Sequence, residues 1–141
     1  ETETKTEYTK ENSKTYDKPL SDISGDSRYD VARAWWGASW RMPTESELEE
    51  LRNRCKWEWG YLNGMEGYKV TGPNGNSIFL PAAGCRNGSG LYFVGLSGYY
   101  WSSTPYGGHD CGAYGLCFFD KSRLVNWGGR YVGRSFRPVS E

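Results

Sequence analysis

Glutamate is missing from residues 67–140 of this 141-residue chain, although the first 66 residues hold ten. The fifty residues before Glu141 also lack Met and Gln and carry a single Lys, Lys121. Two accounts of the gap stay open at this level. A Gly-rich, β-forming half disfavours Glu and Lys anyway, while a half drawn from a restricted residue alphabet would lack them for another reason. Other absences exclude whole classes of function. Seventeen acidic and seventeen basic residues leave a formal net charge of zero, so no net field draws the chain to nucleic acid, and no nucleic-acid partner is expected. No apolar run approaches the ~20 residues of a membrane span, and no charged-then-apolar leader is present. The start at Glu1, inside a polar stretch, fits a chain cut from a longer precursor. With one His, and with C-x5-C as the shortest spacing among Cys55, Cys85, Cys111 and Cys117, the sequence matches neither a zinc ribbon nor a CxxC redox site. No metal or cofactor is expected, and the thiols read as free.

What is present suits one domain: 141 residues with 16% aromatic side chains can fill a core. Residues 1–19 are Glu, Lys, Thr and Ser with only Tyr8 and Tyr16 as anchors, which predicts an extended or poorly ordered arm. The folded domain is expected over residues 20–141. A short helix over 28–36, capped by Asp26 or Ser27 and stopped at Gly37, precedes a stronger one that follows Arg41-Met42-Pro43. There Thr44 and Glu47 form a capping box, Leu48, Leu51 and Cys55 share one face, and Arg52, Arg54 and Lys56 gather at the C-terminal end. From Gly67 the apolar period drops to two. Strands are predicted at 68–71 and 77–80, joined by the turn-rich loop 72–76, and then at 99–103, 113–119, 124–127 and 135–139. Along 113–119, Tyr114, Leu116 and Phe118 point to the core, leaving Gly115, Cys117 and Phe119 on an available face. Two helices plus short antiparallel strands and long loops, with no βαβ rhythm, predict an α+β domain. Trp35, Trp36, Trp40, Trp57 and Trp59 read as core or frame around the helices. Tyr92, Phe93, Tyr106, Phe119 and Tyr131 read as outward residues of the kind that anchor protein interfaces.

The block Trp40-Arg41-Met42-Pro43-Thr44-Glu45-Ser46-Glu47-Leu48 resembles the W-R-L-P-T-E-A-E-W block of the formylglycine-generating enzyme family. The closing Gly133-Arg134-Ser135-Phe136-Arg137-Pro138-Val139 resembles that family's G-F-R strand. From Leu20 to Glu141 the chain is closer to the Fibrobacter-type major paralogous domain of gut bacteria, through Pro19-Leu20-Ser21-Asp22-Ile23-Ser24-Gly25, Asn76-Ser77-Ile78-Phe79-Leu80-Pro81-Ala82-Ala83-Gly84 and Tyr100-Trp101-Ser102-Ser103. The resemblance implies a C-type lectin-like fold. It also implies kinship with variable proteins of diversity-generating retroelements, whose variable codons encode every residue type except Gln, Glu, Lys, Met and Trp. On that pattern Trp101, Lys121 and Trp127 belong to the fixed frame. The variable positions, within about residues 90–137, fall at Tyr92, Phe93 and Leu96, at Tyr106, Gly107, Gly108, His109, Asp110 and Cys111, at Gly115, Cys117 and Phe119, at Arg123 and Leu124, and at Gly128, Gly129, Arg130 and Val132.

No enzyme is expected. The formylglycine-generating enzymes bind copper through a cysteine pair, but Cys111 and Cys117, the available candidates, do not reproduce that motif. His109 stands in no recognisable nucleophile motif. Asp110 and Asp120 are too few carboxylates for a calcium cage. Gly72-Pro73-Asn74-Gly75 and Gly107-Gly108 precede no helix, so neither cradles a phosphate. Asn87-Gly88-Ser89 fits the N-glycosylation pattern, which is common by chance. The expected function is non-enzymatic display of a diversified C-terminal surface to a protein or cell-surface ligand, on a bacterial surface protein or a secreted or phage-encoded one. The alternative is an invariant adhesion or carbohydrate-binding module.

Overall fold

The computed structural model describes residues 2–141. Its first helix, α1 (Val31–Trp36), is capped by neither Asp26 nor Ser27 but by Asp30, whose side chain accepts from the backbone N–H groups of Ala32 and Arg33. Gly37 ends it. A two-residue strand, β1 (Trp40–Arg41), leads into α2 (Glu45–Arg54). The capping box at the start of α2 is formed: Thr44 Oγ1 accepts from Glu47 N, and the Glu47 carboxylate accepts from Thr44 N at 2.8 Å.

Nine more strands follow α2 among the described residues. β2 (Lys56–Leu62), β3 (Met65–Thr71) and β4 (Ser77–Pro81) form an antiparallel meander, and β5 (Cys85–Asn87) pairs with β6 (Gly90–Tyr92). β7 (Ser97–Pro105), β8 (Gly112–Phe119) and β9 (Ser122–Gly129) form a second antiparallel sheet, while β10 (Val139–Ser140) returns to pair with β1. Strand accounts for 42% of residues and helix for 11%. The expectation of an α+β, C-type lectin-like domain of two helices plus short strands is therefore corrected to a β-rich fold of several small sheets. The physical reason lies in lengths. Helix α1 has six residues and α2 ten, and residues 56–62, where the sequence predicts no strand, form β2, in which Trp57 and Trp59 alternate with exposed Lys56 and Glu58. The 135–139 strand is also reduced, to a single bridge from Ser135 to Tyr100 and the short β10.

The core sits between the two three-stranded sheets and α2. Leu48, Tyr68, Val70, Leu80, Ala82, Tyr100, Leu116 and Phe118 are buried together. Phe118 is its centre, with Tyr68 at 5.2 Å, Tyr100 stacked at 5.9 Å, and Trp57 and Trp59 edge-on at 6.2 and 6.4 Å. Edge-to-face and offset aromatic contacts of this kind add to the burial of area. Trp57 and Trp59 thus serve the core, whereas Trp35, Trp36 and Trp40 are exposed on α1 and β1. Residues of the polar arm lie along the body: Tyr8 and Gly88 exchange backbone hydrogen bonds of 2.8 and 2.9 Å, Trp35 Nε1 donates to Thr2 O, and Thr15 is buried.

Candidate functional site

The expected display positions fall into four places. The first is the end of β6 and the turn from it to β7. Leu91, Tyr92, Phe93, Val94 and Leu96 are between 46% and 64% exposed, yet the backbone beneath them is pinned. The N–H groups of Leu96 and Ser97 both donate to Phe93 O at 3.0 Å, and Gly95 N donates to Ala82 O at 2.7 Å. Phe93 holds φ at 62°, a left-handed conformation that costs a residue with a Cβ. Phe119, 45% exposed, joins this region because it pairs with Ser97, the next residue in the chain after Leu96. A fixed turn that projects this much apolar surface outward is the pattern of a contact surface.

The second place is the β7–β8 loop. Gly107, Gly108, His109 and Asp110 are exposed, while Tyr106 lies flat on Trp127 with ring centroids 4.8 Å apart and planes within 12°. His109 stands edge-on to both rings, at 5.1 Å from Tyr106 and 4.7 Å from Trp127, and Tyr114 closes the group at 5.6 Å from Tyr106. Trp127 keeps 43% of its surface exposed. The result is a preassembled aromatic knob on the end of the sheet.

The third place is the outer row of β8. Gly115 is buried and Cys117 half-buried, because Arg134 lies across them. Its guanidinium stacks 4.2 Å from the Trp101 ring and 5.4 Å from Tyr99, with Nη1 3.9 Å from Cys117 Sγ. The space it uses is the space two glycines leave. A Cβ on Gly115 would meet Nη1 at 3.2 Å, and one on Gly128 would meet Nη2 at 2.1 Å. Burial pushes the Cys117 and Cys85 thiols up from their ordinary range, with Arg134 pulling the other way. Both are therefore poor nucleophiles at neutral pH.

The fourth set works within the frame. Arg123 lies 5.3 Å over Trp57, and its carbonyl accepts from Arg52 Nε at 3.0 Å; Leu124, its neighbour on β9, is half-buried. Arg130 donates to three carbonyls: Gly112 O at 2.8 Å from Nε, and Thr15 O at 3.0 Å and Lys18 O at 2.5 Å from Nη1. Cys111 donates from Sγ to Asp17 Oδ1 at 3.5 Å, and its carbonyl accepts from Arg130 N. Val132 N donates to Gly129 O, and Val132 O accepts from Trp101 Nε1. Arg130, Cys111 and Val132 fasten the arm and the C-terminal segment to the sheet, while Arg123 joins β9 to α2 and β2.

The structure thus gathers Tyr92, Phe93, Leu96 and Phe119 in one region and residues 106–110 in another, and it places the remaining positions inside packed contacts. Sequence reasoning missed Leu91 and Val94, and missed Arg134. The apolar run Leu91-Tyr92-Phe93-Val94 was visible, but a run of that length reads equally as a buried strand. Cys111 precedes β8 and Cys117 lies six residues on, about 20 Å along an extended strand, so the two do not converge as a metal pair. Among the described residues no three His, Cys, Asp or Glu side chains gather as metal ligands, and no helix is long and apolar enough to cross a membrane. Comparison with protein-family models, with curated proteins and with solved structures finds no match.

Proposed function

We propose that this chain is a non-enzymatic binding protein of the retroelement variable type, presenting its C-terminal half to a protein or cell-surface ligand. The observation that carries the reading is the turn at residues 91–96. Five large apolar side chains project from a backbone fixed by three hydrogen bonds, beside an exposed Phe119. Rigid aromatic anchors bind at low entropy cost. The exposed loop 107–110, beside the Tyr106–Trp127 stack, supplies a second variable contact on the same fixed frame. A bacterial surface, secreted or phage-encoded setting suits such a protein.

Sequencing the locus tests the retroelement part. A reverse transcriptase gene and a near-identical template repeat spanning residues 90–137, with adenines at the divergent sites, are expected nearby, and their absence overturns it. A library varied at Tyr92, Phe93, Leu96, residues 107–110 and Phe119 tests the display part. Most members are expected to keep their melting temperature, since exposed substitutions usually stay within ~0.5 kcal/mol each, while binding partners change. A library that mostly misfolds would refute display. Trp127, exposed and backed by Tyr106, favours a glycan as the second reading, and saturable glycan binding lost in Trp127→Ala would select it.

A further inference from the structure

Strand β2 lies at the edge of its meander: it pairs with β3 along seven residues, and among the described residues no strand pairs with its other side. The turn fixes which of its backbone groups face outward. Asn63 and Gly64, with φ of 51° and 82°, form a two-residue loop between Leu62 and Met65, so that pair exchanges both backbone hydrogen bonds. Bonded and unbonded pairs alternate along an antiparallel ladder, and Gly60, Glu58 and Lys56 therefore bond to Gly67, Lys69 and Thr71. The N–H and C=O groups of Trp57, Trp59 and Tyr61 point the other way. Among the described residues none of these six groups has a hydrogen-bond partner.

An open edge of this length, about 23 Å at the usual rise per residue, is a template for another strand, and proteins commonly blunt such edges with charge, Pro or a covering element. β2 contains no Pro. Its two charges neutralise each other, Lys56 Nζ to Glu58 Oε1 at 3.1 Å, on the face away from Trp57 and Trp59. Its C-terminal half carries none: Tyr61 is 71% exposed, Leu62 49%, and a Cβ on Gly60 would meet nothing within 4 Å. The edge is also complementary to itself. Two copies set antiparallel about Trp59 place Trp59 opposite Trp59, Trp57 opposite Tyr61, Glu58 opposite Gly60 and Lys56 opposite Leu62. In that register the three outward residues of each strand meet those of the other, which pairs every open N–H and C=O. Aromatic side chains then form cross-strand pairs, and no like charges stand directly opposite. A shift of the register in one direction sets Glu58 against Glu58, and a shift in the other sets Trp57 against the turn at Asn63.

We propose that β2 is a homodimer interface, in which a second copy of this chain lays its own β2 antiparallel along the open edge and the two meanders join into one continuous sheet about a two-fold axis at Trp59. Such an interface is isologous, so pairing at β2 closes at two copies. The edge shares no residue with the turn at residues 91–96, and the two surfaces are tested apart.

Sedimentation equilibrium on the whole chain tests it. The mass is expected to rise with concentration from the 16.0 kDa of one chain toward twice that value. A single-chain mass up to about 1 mM overturns the proposal and leaves the edge to a strand of another protein. Hydrogen exchange locates the contact. The amides of Trp57, Trp59 and Tyr61 should exchange about tenfold or more slowly in the dimer than in the dilute monomer, and unchanged rates in a chain that dimerises put the interface elsewhere and overturn the assignment. Tyr61→Pro removes an outward N–H that β3 does not use, so the variant should fold and stay monomeric. Should it unfold, Gly60→Asp replaces it: the new side chain enters open space in the monomer but faces Glu58 of the partner subunit, which should weaken dimerisation several-fold. Adding Glu58→Lys to Gly60→Asp should restore it, because the facing charges then differ in sign. Dimerisation unmoved by Gly60→Asp, or not restored in the double variant, overturns the register and the proposal with it.

Discussion

Asp30 is fully buried, and each of its carboxyl oxygens accepts from two backbone N–H groups. Oδ1 takes Ala32 at 2.9 Å and Arg33 at 3.1 Å, while Oδ2 takes Gly25 at 2.7 Å and Met42 at 2.9 Å. One side chain therefore caps α1 and ties it to the loop before it and to the residue that follows β1. Removing it strands four donors, two of them, on Ala32 and Met42, in buried positions. Asp30→Ala is expected to cost about 3–5 kcal/mol by denaturant unfolding, at the upper end for a single polar residue. Asp30→Asn should recover part of this, since one oxygen still accepts while the amide nitrogen opposes the other pair of donors. Nothing in the local sequence distinguishes Asp30 from Asp26 or Ser27 as the cap. The choice depends on Met42, twelve residues away, whose N–H only the folded chain brings within reach.

Helix α2 is the element whose sequence and structure agree most closely. Arg41 forks onto Glu47 with contacts of 2.8 and 2.6 Å, and the same carboxylate accepts from Thr44 N. The Arg41 hydrogen bonds, aided by Thr44 against the opposing effect of burial, hold the Glu47 carboxyl down at about 2, below its ordinary 4.5. A depressed carboxyl stabilises the fold above its unfolded pKa and ceases to do so as pH falls through the folded value. The contribution of Glu47 is thus fully present above about pH 5 and disappears between about pH 4.5 and pH 2. Glu47→Gln should be less stable than the parent at pH 7, and the two unfolding curves should converge as pH approaches 2. A gap that persists at pH 2 would place the effect in packing and not in charge. Among the strands, β8 shows the two-residue period most plainly. Leu116 and Phe118 are fully buried and Phe119 is exposed, but Tyr114 is only half-buried and Gly115 is covered. Alternation sets which side a residue faces. What lies on that side is a separate matter, decided here by Arg134.

At the scale of the whole molecule, the arm is the part whose character changes most on folding. Its composition predicts an extended or poorly ordered arm, but the Arg130 guanidinium holds the carbonyls of Thr15 and Lys18 while Tyr8 bridges to Gly88. Arg130→Gln should release residues 15–18 without disturbing the aromatic core around Phe118. Limited proteolysis is expected to cut the arm several-fold faster in that variant, with the midpoint of global unfolding moved by no more than ~1 kcal/mol. If arm cleavage and global unfolding accelerate together, the arm is part of the cooperative unit and not a strap laid upon it.

Local chemistry alone determined the elements whose cause is local. The capping box of α2, the loop 72–76 with its flanking strands, and the two-residue rhythm of β8 each depend on residues within a few positions of one another. The loop at 107–110, placed among the display positions through the family resemblance, is exposed, while Tyr106 beside it is half-buried on Trp127. Only the tertiary structure decided the rest. β2 continues from a helix without a Gly or Pro stop, and its identity as a strand comes from pairing with β3 along seven residues. The outward setting of Leu91, Tyr92, Phe93, Val94 and Leu96 depends on the hydrogen bond from Gly95 N to Ala82 O, thirteen residues back, which no period in the sequence reports. Arg134 comes to lie over Gly115 and the Trp101 ring because a segment after β9 folds back over the outer side of the sheet. Contacts between residues thirty positions apart carry no signature in either stretch, because they depend on the path of the chain between them.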